Sequence, residues 1–394
     1  MNILVVNCGS SSLKFQLVDS ETESVQASGN CERIGLDGRI VYKAHGKKTA
    51  TDTSLPDHAV AISRVLDLLT DAKEGVIGSL DEINAIGHRL VHGGEKFSSS
   101  VIITEDIIKE IETCNDLAPL HNPANILGIR ACQRAMPKIK HVAVFDTAFH
   151  QTMPAKAYLY GLPKEYYSKY GVRRYGFHGT SHSFVSKRLA TLAELDYGNS
   201  KLIICHIGSG ASISAIKNGQ SVDTSMGMTP LEGLVMGTRS GDIDPAIIEF
   251  ICQKENISAS EMTSVLNKKS GVLGLSGVSN DYRDLIEAAS NGNEDAKNAL
   301  DVLVYRIIKY IGAYYMVLGG ADAIALTAGA GENSSEIRSA IMEGLSAIGV
   351  EMDEEANKIR GEEVLLTTPS SKVPVWAVPT NEELAIARET ARLV

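Results

Sequence analysis

An apolar run at residues 3–6 meets the polar string Asn7-Cys8-Gly9-Ser10-Ser11-Ser12, and apolar positions resume at residues 13–18. That order predicts strand, tight polar turn and strand. The pattern returns at residues 202–205, 206–210 and 211–216, with Gly9 and Gly208 in register and close to half the chain apart. Such spacing predicts an internal duplication. A third apolar run, residues 323–328, leads into Gly329-Ala330-Gly331-Glu332-Asn333, and residues 334–347 then follow helical spacing. Residues 323–347 thus predict strand, glycine turn and helix, with the helix N-terminus aimed at whatever lies over the turn.

One isolated glycine turn is more often an ordinary connection than a ligand site. Three of them, two in matching positions, shift the balance toward nucleotide binding. No GxxxxGK[ST] string occurs, and neither GSGASI nor GAGENS completes GxGxxG, which disfavours a P-loop or a Rossmann enzyme. What remains is a duplicated α/β fold that cradles phosphates between two hairpins, the architecture of the actin-like ATPases.

Composition narrows the partners. The 394 residues are 44% hydrophobic and 22% charged, enough apolar material for a packed core and enough length for two domains. A formal charge of -10 leaves no basic field for nucleic acid. The six cysteines, Cys8, Cys31, Cys114, Cys132, Cys205 and Cys252, form no CxxC pair and read as reduced thiols. The N-terminal apolar run is too short for a signal peptide, and residues 311–321 fall well short of the roughly 20 residues of a membrane span. A cytoplasmic protein without membrane contact is the expectation.

Longer strings then carry a specific likeness. NCGSSSLKFQL at 7–17, GHRLVHGGE at 87–95, APLHNPAN at 118–125, VFDTAFH at 144–150 and RRYGFHGTSH at 173–182 occupy the first half. HIGSGAS at 206–212, DTSMGMTPLEGLVMGTRSGDIDP at 223–245 and TAGAGENSSEIR at 327–338 occupy the second. In this order they resemble the acetate and propionate kinase family over nearly the whole chain. The resemblance implies a duplicated actin-like ATPase fold, ribonuclease H-like, with two lobes around a central cleft. It also implies an N-terminal acyl and phosphate lobe of residues 1–149 plus 382–394 and a nucleotide lobe of residues 150–381. The implied activity is reversible in-line transfer of the ATP γ-phosphoryl group to acetate, giving acetyl phosphate and ADP. Propionate is the nearest rival acceptor, and an actin-like or chaperone ATPase without an acyl acceptor is the rival from another class.

Moving a phosphoryl group onto a carboxylate brings two anions together, so the site must neutralise charge and align donor with acceptor. Arginine suits this, because its planar fork stays charged and bridges oxygens. By resemblance, Arg89 holds the acyl carboxylate and Arg239 stabilises the transferring phosphoryl group. His178 is implied as a hydrogen-bond donor to a phosphoryl oxygen in the transition state. Asp146 joins them as a catalytic-site residue. Since a carboxylate substrate is already ionised, Asp146 is expected to position Arg239 or a magnesium-bound water rather than serve as an obligatory base. The pairs His88 with His92 and His178 with His182 have i,i+4 spacing, yet lack the Glu of HExxH and an evident third ligand, so a transition-metal site is disfavoured.

The same resemblance implies Mg2+ as cofactor, with Mn2+ as a substitute, held by Asn7 and Glu382. Nucleotide contacts for ATP and ADP fall on Ser10, Ser12 and Lys14, on His206, Ile207, Gly208, Ser209 and Gly210, on Asp281, Tyr282 and Arg283, and on Gly329, Ala330, Gly331, Glu332 and Asn333. Ser209 stands where many relatives carry asparagine, so its phosphate contact is expected to be weaker. Val91, Leu120, Phe177 and Pro230 are implied as the lining of the acyl pocket, and relatives imply a homodimer.

Overall fold

The computed structural model describes residues 1–119 and 121–394, so Leu120 lies outside the described residues. The chain forms two compact units, Met1–Phe149 with Asn381–Val394, and His150–Thr380.

The first unit holds strands β1 (Asn2–Cys8), β2 (Leu13–Asp19), β3 (Val25–Glu32), β4 (Arg39–Ala44), β5 (Lys47–Asp52), β6 (Ile83–Leu90), β7 (Val101–Ile102) and β8 (Lys140–Phe145). They form one mixed sheet in the order β5-β4-β3-β2-β1-β6-β8-β7. β1 and β2 make the expected hairpin, with Cys8 opposite Leu13, while β1, β6 and β8 run parallel. Alternation along the strands sends Leu4, Val6 and Cys8 to one face, where Ala61, Ile62 and Val65 of helix His58–Leu69 cover them. Ile3 and Val5 go to the other face with Val142 and Val144, covered by Ile386 and Ala387 of helix Glu382–Leu393. Burying each large aliphatic side chain contributes about 1.5–3 kcal/mol, so neither face is stable uncovered. Gly87 on β6 permits that second cover. A Cβ there would stand 2.4 Å from Thr390 Oγ1 and 2.6 Å from Ile386 Cγ2.

The second unit holds β9 (Lys201–Ile207), β10 (Ala211–Lys217), β11 (Gln220–Thr224), β12 (Ala323–Thr327), β13 (Val364–Leu365) and β14 (Val375–Ala377). Their order is β11-β10-β9-β12-β14-β13, with β9 antiparallel to β10 and parallel to β12, which is parallel to β14. The central order of each sheet is the same: an antiparallel three-strand meander followed by two parallel neighbours of its first strand. The duplication expected from Gly9 and Gly208 is therefore present as repeated topology. Helices Gly179–Leu192 and Glu294–Leu318 pack against this second sheet.

One local expectation is corrected. Residues 328–333 are a short helix, Ala328–Asn333, rather than an open glycine turn. Glu332 folds back so that its Oε1 accepts from Ala328 N at 2.7 Å, which holds Ala328 at a positive φ of 63° and starts a helical turn at once. The helix expected over 334–347 is Ser335–Gly344, and a 3-10 turn at Ser346–Ile348 follows it. Among the described residues no helix is long and apolar enough to cross a membrane.

Candidate active site

In the first unit the polar residues gather where the parallel strands end, the edge at which open α/β sheets bind ligands. Asn7 closes β1, Arg89 lies one residue from the end of β6, and Asp146 follows β8 directly. Each continues the strand face carrying Val5, Gly87 and Val144, because alternate residues share a face. Lys14 lies opposite Asn7 across the hairpin and is exposed, as Ser10 is at the hairpin tip, while Ser12 is half-buried. Helix Glu382–Leu393 covers this face and brings Glu382, its first residue, to the group.

Arg89 and Asp146 form a two-pronged pair, with Nε donating to Oδ1 at 3.0 Å and Nη2 to Oδ2 at 2.7 Å. Glu382 Oε2 lies 3.7 Å from Arg89 Nε. Burial alone would lower the Arg89 pKa, but Asp146 and Glu382 outweigh it and raise it, so the guanidinium stays charged. Burial raises the Asp146 carboxyl above its usual range, Arg89 opposes that rise, and Glu382 adds to it. The partner of Asp146 in the first unit is thus Arg89, a pairing the sequence reading did not anticipate.

The loop after β6 is tied down by two asparagines from the APLHNPAN string. Asn125 Oδ1 accepts from Val91 N at 3.2 Å, and its Nδ2 donates to Cys8 O at 2.6 Å. Asn122 bonds both backbone groups of His92, at 3.2 and 2.9 Å. These bonds fix half-buried Val91 relative to the end of β1. No local pattern separates such asparagines from ordinary helix starters, so they were missed.

In the second unit His178 caps helix Gly179–Leu192 from a left-handed conformation, φ 57°. Its ring stacks on that of His206 at 4.2 Å between centroids. Ser212 Oγ lies 2.9 Å from His178 Nδ1, and Ser181 Oγ lies 2.8 Å from His206 Nδ1 and 2.8 Å from Thr380 Oγ1. Gly210 leaves room beside these rings. A Cβ on it would stand 3.4 Å from His178 Nε2 and 3.5 Å from Arg239 Nη1, which places His178, Gly210 and Arg239 side by side. Phe177 is buried, and its carbonyl is 3.0 Å from His150 Nε2.

Arg239 donates to Pro230 O at 3.1 Å and has no carboxylate partner among the described residues. Burial lowers its pKa, as expected for a cation short of compensating charge. Its segment is held in place by a polar clamp absent from the sequence reading. Arg174 Nη2 donates to Glu232 Oε1 at 2.6 Å, Tyr160 donates to the other Glu232 oxygen, and Arg174 Nη1 reaches Thr224 O and Ser225 O at 2.9 Å each. Asp242 then accepts from Gly233 N at 2.8 Å and from Tyr310 at 2.6 Å.

The expected nucleotide residues of this unit come together at the strand ends. Gly208 faces Ala328 and Gly329, with its Cβ position 3.6 Å from Ala328 Cβ and 3.9 Å from Gly329 N. Tyr282 donates to Gly208 O at 2.9 Å and ties the start of helix Tyr282–Ser290 to the β9–β10 turn. Arg283 is exposed and forks onto Asp281 at 3.0 and 2.5 Å, which holds that carboxyl at about 2. Ser209 is exposed and its carbonyl accepts from Gly237 N at 3.0 Å. Ile207, Ala330 and Gly331 are buried, and Asn333 donates to Gly329 O at 3.0 Å. Glu332 serves as a brace, accepting from Ala328 N and, at 3.0 Å, from Thr380 N.

The i,i+4 histidine pairs are occupied by other partners. His88 Nε2 stands 2.9 Å from His141 Nδ1, and His182 Nε2 stands 2.8 Å from Ser212 Oγ. Asn7 and Glu382 present an amide and a carboxylate oxygen, the hard donors that suit Mg2+, which takes only one or two protein ligands.

The whole chain resembles proteins of known activity. The signature of the Acetokinase family matches residues 2–388. An acetate kinase of Lachnoclostridium phytofermentans is 62% identical over 395 residues, covering 100% of both chains. The crystal structure of Porphyromonas gingivalis acetate kinase superimposes with a TM-score of 0.96 at 48% identity, covering 100% of this chain and 99% of that one. A propionate kinase from Francisella tularensis superimposes with a TM-score of 0.94 at 42% identity, covering 100% of each. On full-length identity and shared fold, this chain belongs to the acetokinase family.

Proposed function

We propose that this chain is an ATP:acetate phosphotransferase, moving the γ-phosphoryl group of ATP to acetate and back. The observation that carries this reading is 62% identity to an acetate kinase along the full chain. In the forward direction an acetate oxygen forms the new bond to phosphorus while the bond from phosphorus to the β,γ-bridging oxygen breaks. The products are acetyl phosphate and ADP, and no proton need move, because acetate is ionised at neutral pH.

Each residue then has a role its surroundings support. Arg89, oriented by Asp146, receives the acetate carboxylate, and Val91, Leu120, Phe177 and Pro230 enclose its methyl group. Arg239, a cation without a carboxylate partner among the described residues, takes the charge that develops on the transferring group. His178 donates to one of that group's oxygens. Lys14, Ser10 and Ser12 attend the phosphates, and the segments around Gly208, Tyr282 and Gly329 hold the nucleotide. Asn7 and Glu382 are the residues that would hold Mg2+, which when bound offsets phosphate charge. We place the enzyme in the cytoplasm as a homodimer, the exposed Tyr305, Met316 and Val317 of helix Glu294–Leu318 offering apolar surface for a second copy.

Trapping acyl phosphate with hydroxylamine, in mixtures of ATP with acetate or propionate, tests the reading. Hydroxamate must form with acetate, and kcat/KM must favour acetate over propionate. No hydroxamate above the acid-free background would overturn phosphotransfer, and a tenfold preference for propionate would overturn the choice of acid.

A further inference from the structure

His178 and His182 stand one helical turn apart, and the hydroxyl of Ser212 on β10 sits between their rings, 2.9 Å from His178 Nδ1 and 2.8 Å from His182 Nε2. Ser212 and His182 are fully buried. The spacing that suggests a metal pair in the sequence is thus bridged by a serine. Its hydroxyl carries one hydrogen, so it donates to one ring only.

The outer nitrogen of the second ring decides the direction. His182 Nδ1 is buried and has no hydrogen-bond partner among the described residues. Were Ser212 to donate to His182 Nε2, the imidazole hydrogen would sit on Nδ1 as an unpaired buried donor, the rarest and costliest kind of orphan. Were both histidines to donate, the serine hydrogen would need a third acceptor, and Ser212 Oγ has none among the described residues. In the remaining arrangement His182 Nε2–H donates to Ser212, Ser212 donates to His178 Nδ1, and only a ring lone pair is left over.

The geometry points to Ser212 and His182 as positioning residues that lock His178 in the neutral tautomer carrying its hydrogen on Nε2, ready to donate to a phosphoryl oxygen. Burial, with His150 and His206 nearby, pushes the His182 pKa well below the ordinary histidine range, so its ring stays neutral as the chain of donors requires. The inference rests on the phosphoryl role given to His178 above. Its consequence is a donor that is oriented before substrate arrives, which spares reorganisation during transfer.

Nitrogen-15 NMR of the full chain labelled at histidine tests it, with the His178 signals identified by their loss in His178→Gln. The wild type should show His178 Nδ1 as a pyridine-type nitrogen and Nε2 as a pyrrole-type nitrogen. Ser212→Ala should mix the two tautomers and lower kcat by about tenfold, the loss of one hydrogen bond, with both KM values within about twofold. Ser212→Thr, which restores the hydroxyl, should recover both readouts. His182→Gln, whose amide keeps a donor toward Ser212, should retain the tautomer. A hydrogen on His178 Nδ1 in the wild type, or a Ser212→Ala protein with unchanged spectrum and kcat, overturns the proposal. The spectrum needs no turnover, so a protein with the expected tautomer that forms no acyl phosphate would sink the phosphotransfer reading and not this one.

Discussion

Replacing Asp146 with asparagine tests whether this carboxylate acts through Arg89. Two charge-assisted bonds join the pair, at 3.0 and 2.7 Å, with Asp146 2% and Arg89 21% exposed. A hydrogen bond to a charged group contributes about 1.5–3 kcal/mol. Asparagine keeps one acceptor, and Glu382 at 3.7 Å retains part of the field around Arg89, so the loss should approach the value of one such bond. That amounts to about 2–3 kcal/mol, or roughly 30- to 160-fold in kcat/KM for acetate. The hydroxamate assay on Asp146→Asn, Arg89→Ala and the double variant closes a cycle. If Asp146 works by holding Arg89, its substitution costs little once Arg89 is gone, and the coupling is about 2–3 kcal/mol. Additive losses would refute the reasoning and give Asp146 a task of its own, such as proton transfer.

Gly87→Ala should destabilise the first unit by about 1–3 kcal/mol, because the new Cβ overlaps Thr390 and Ile386. Thermal melts would show it, Thr390→Ala should recover part of the loss, and an unchanged Tm would contradict the packing argument. Arg239→Ala should lower kcat on the order of 100-fold while moving the KM for ATP far less, since its contact strengthens in the transition state. A pure KM effect would remove Arg239 from that role. Burial lowers His150 to about 4, beneath the ordinary value near 6.5 of an unfolded chain. The unfolded state binds more protons between those values, so the stability of the neutral ring is complete above about 6.5 and drains away toward pH 4. The size is on the order of 3 kcal/mol. Urea midpoints at pH 7.5 and 5 should therefore converge in His150→Asn relative to the wild type, and equal slopes would exclude this origin.

The hairpins at Gly9 and Gly208 were legible because alternation and turn residues are local signals, and the duplication followed from them. The helical turn at Ala328–Asn333 was not, since it depends on one carboxylate, Glu332, folding back onto a backbone N–H. Arg89, Arg239 and His178 stood out only through long matching strings. Their supports did not: Ser212, Asn125, Arg174 and Glu232 act across 30 or more residues, as the 34-residue step from His178 to Ser212 illustrates. A hydroxyl or amide at such a distance leaves no periodic trace. The fork from Arg89 to Asp146 was hidden similarly, because it requires knowing that β6 and β8 are parallel neighbours.

The cover over Gly87 also bears on how the chain matures. Residues 1–149 cannot bury the face bearing Ile3, Val5, Val142 and Val144 until helix Glu382–Leu393 is available, whereas His150–Thr380 is continuous in sequence. As the chain emerges from the ribosome, the second unit has all its own parts first, and contacts of such long sequence separation are slow to close. A nascent chain halted before residue 381 should resist protease over 150–380 and be cut within 1–149; resistance throughout would argue otherwise. The Arg89, Asp146 and Glu382 group is then the last to assemble, and an incomplete chain lacks it altogether.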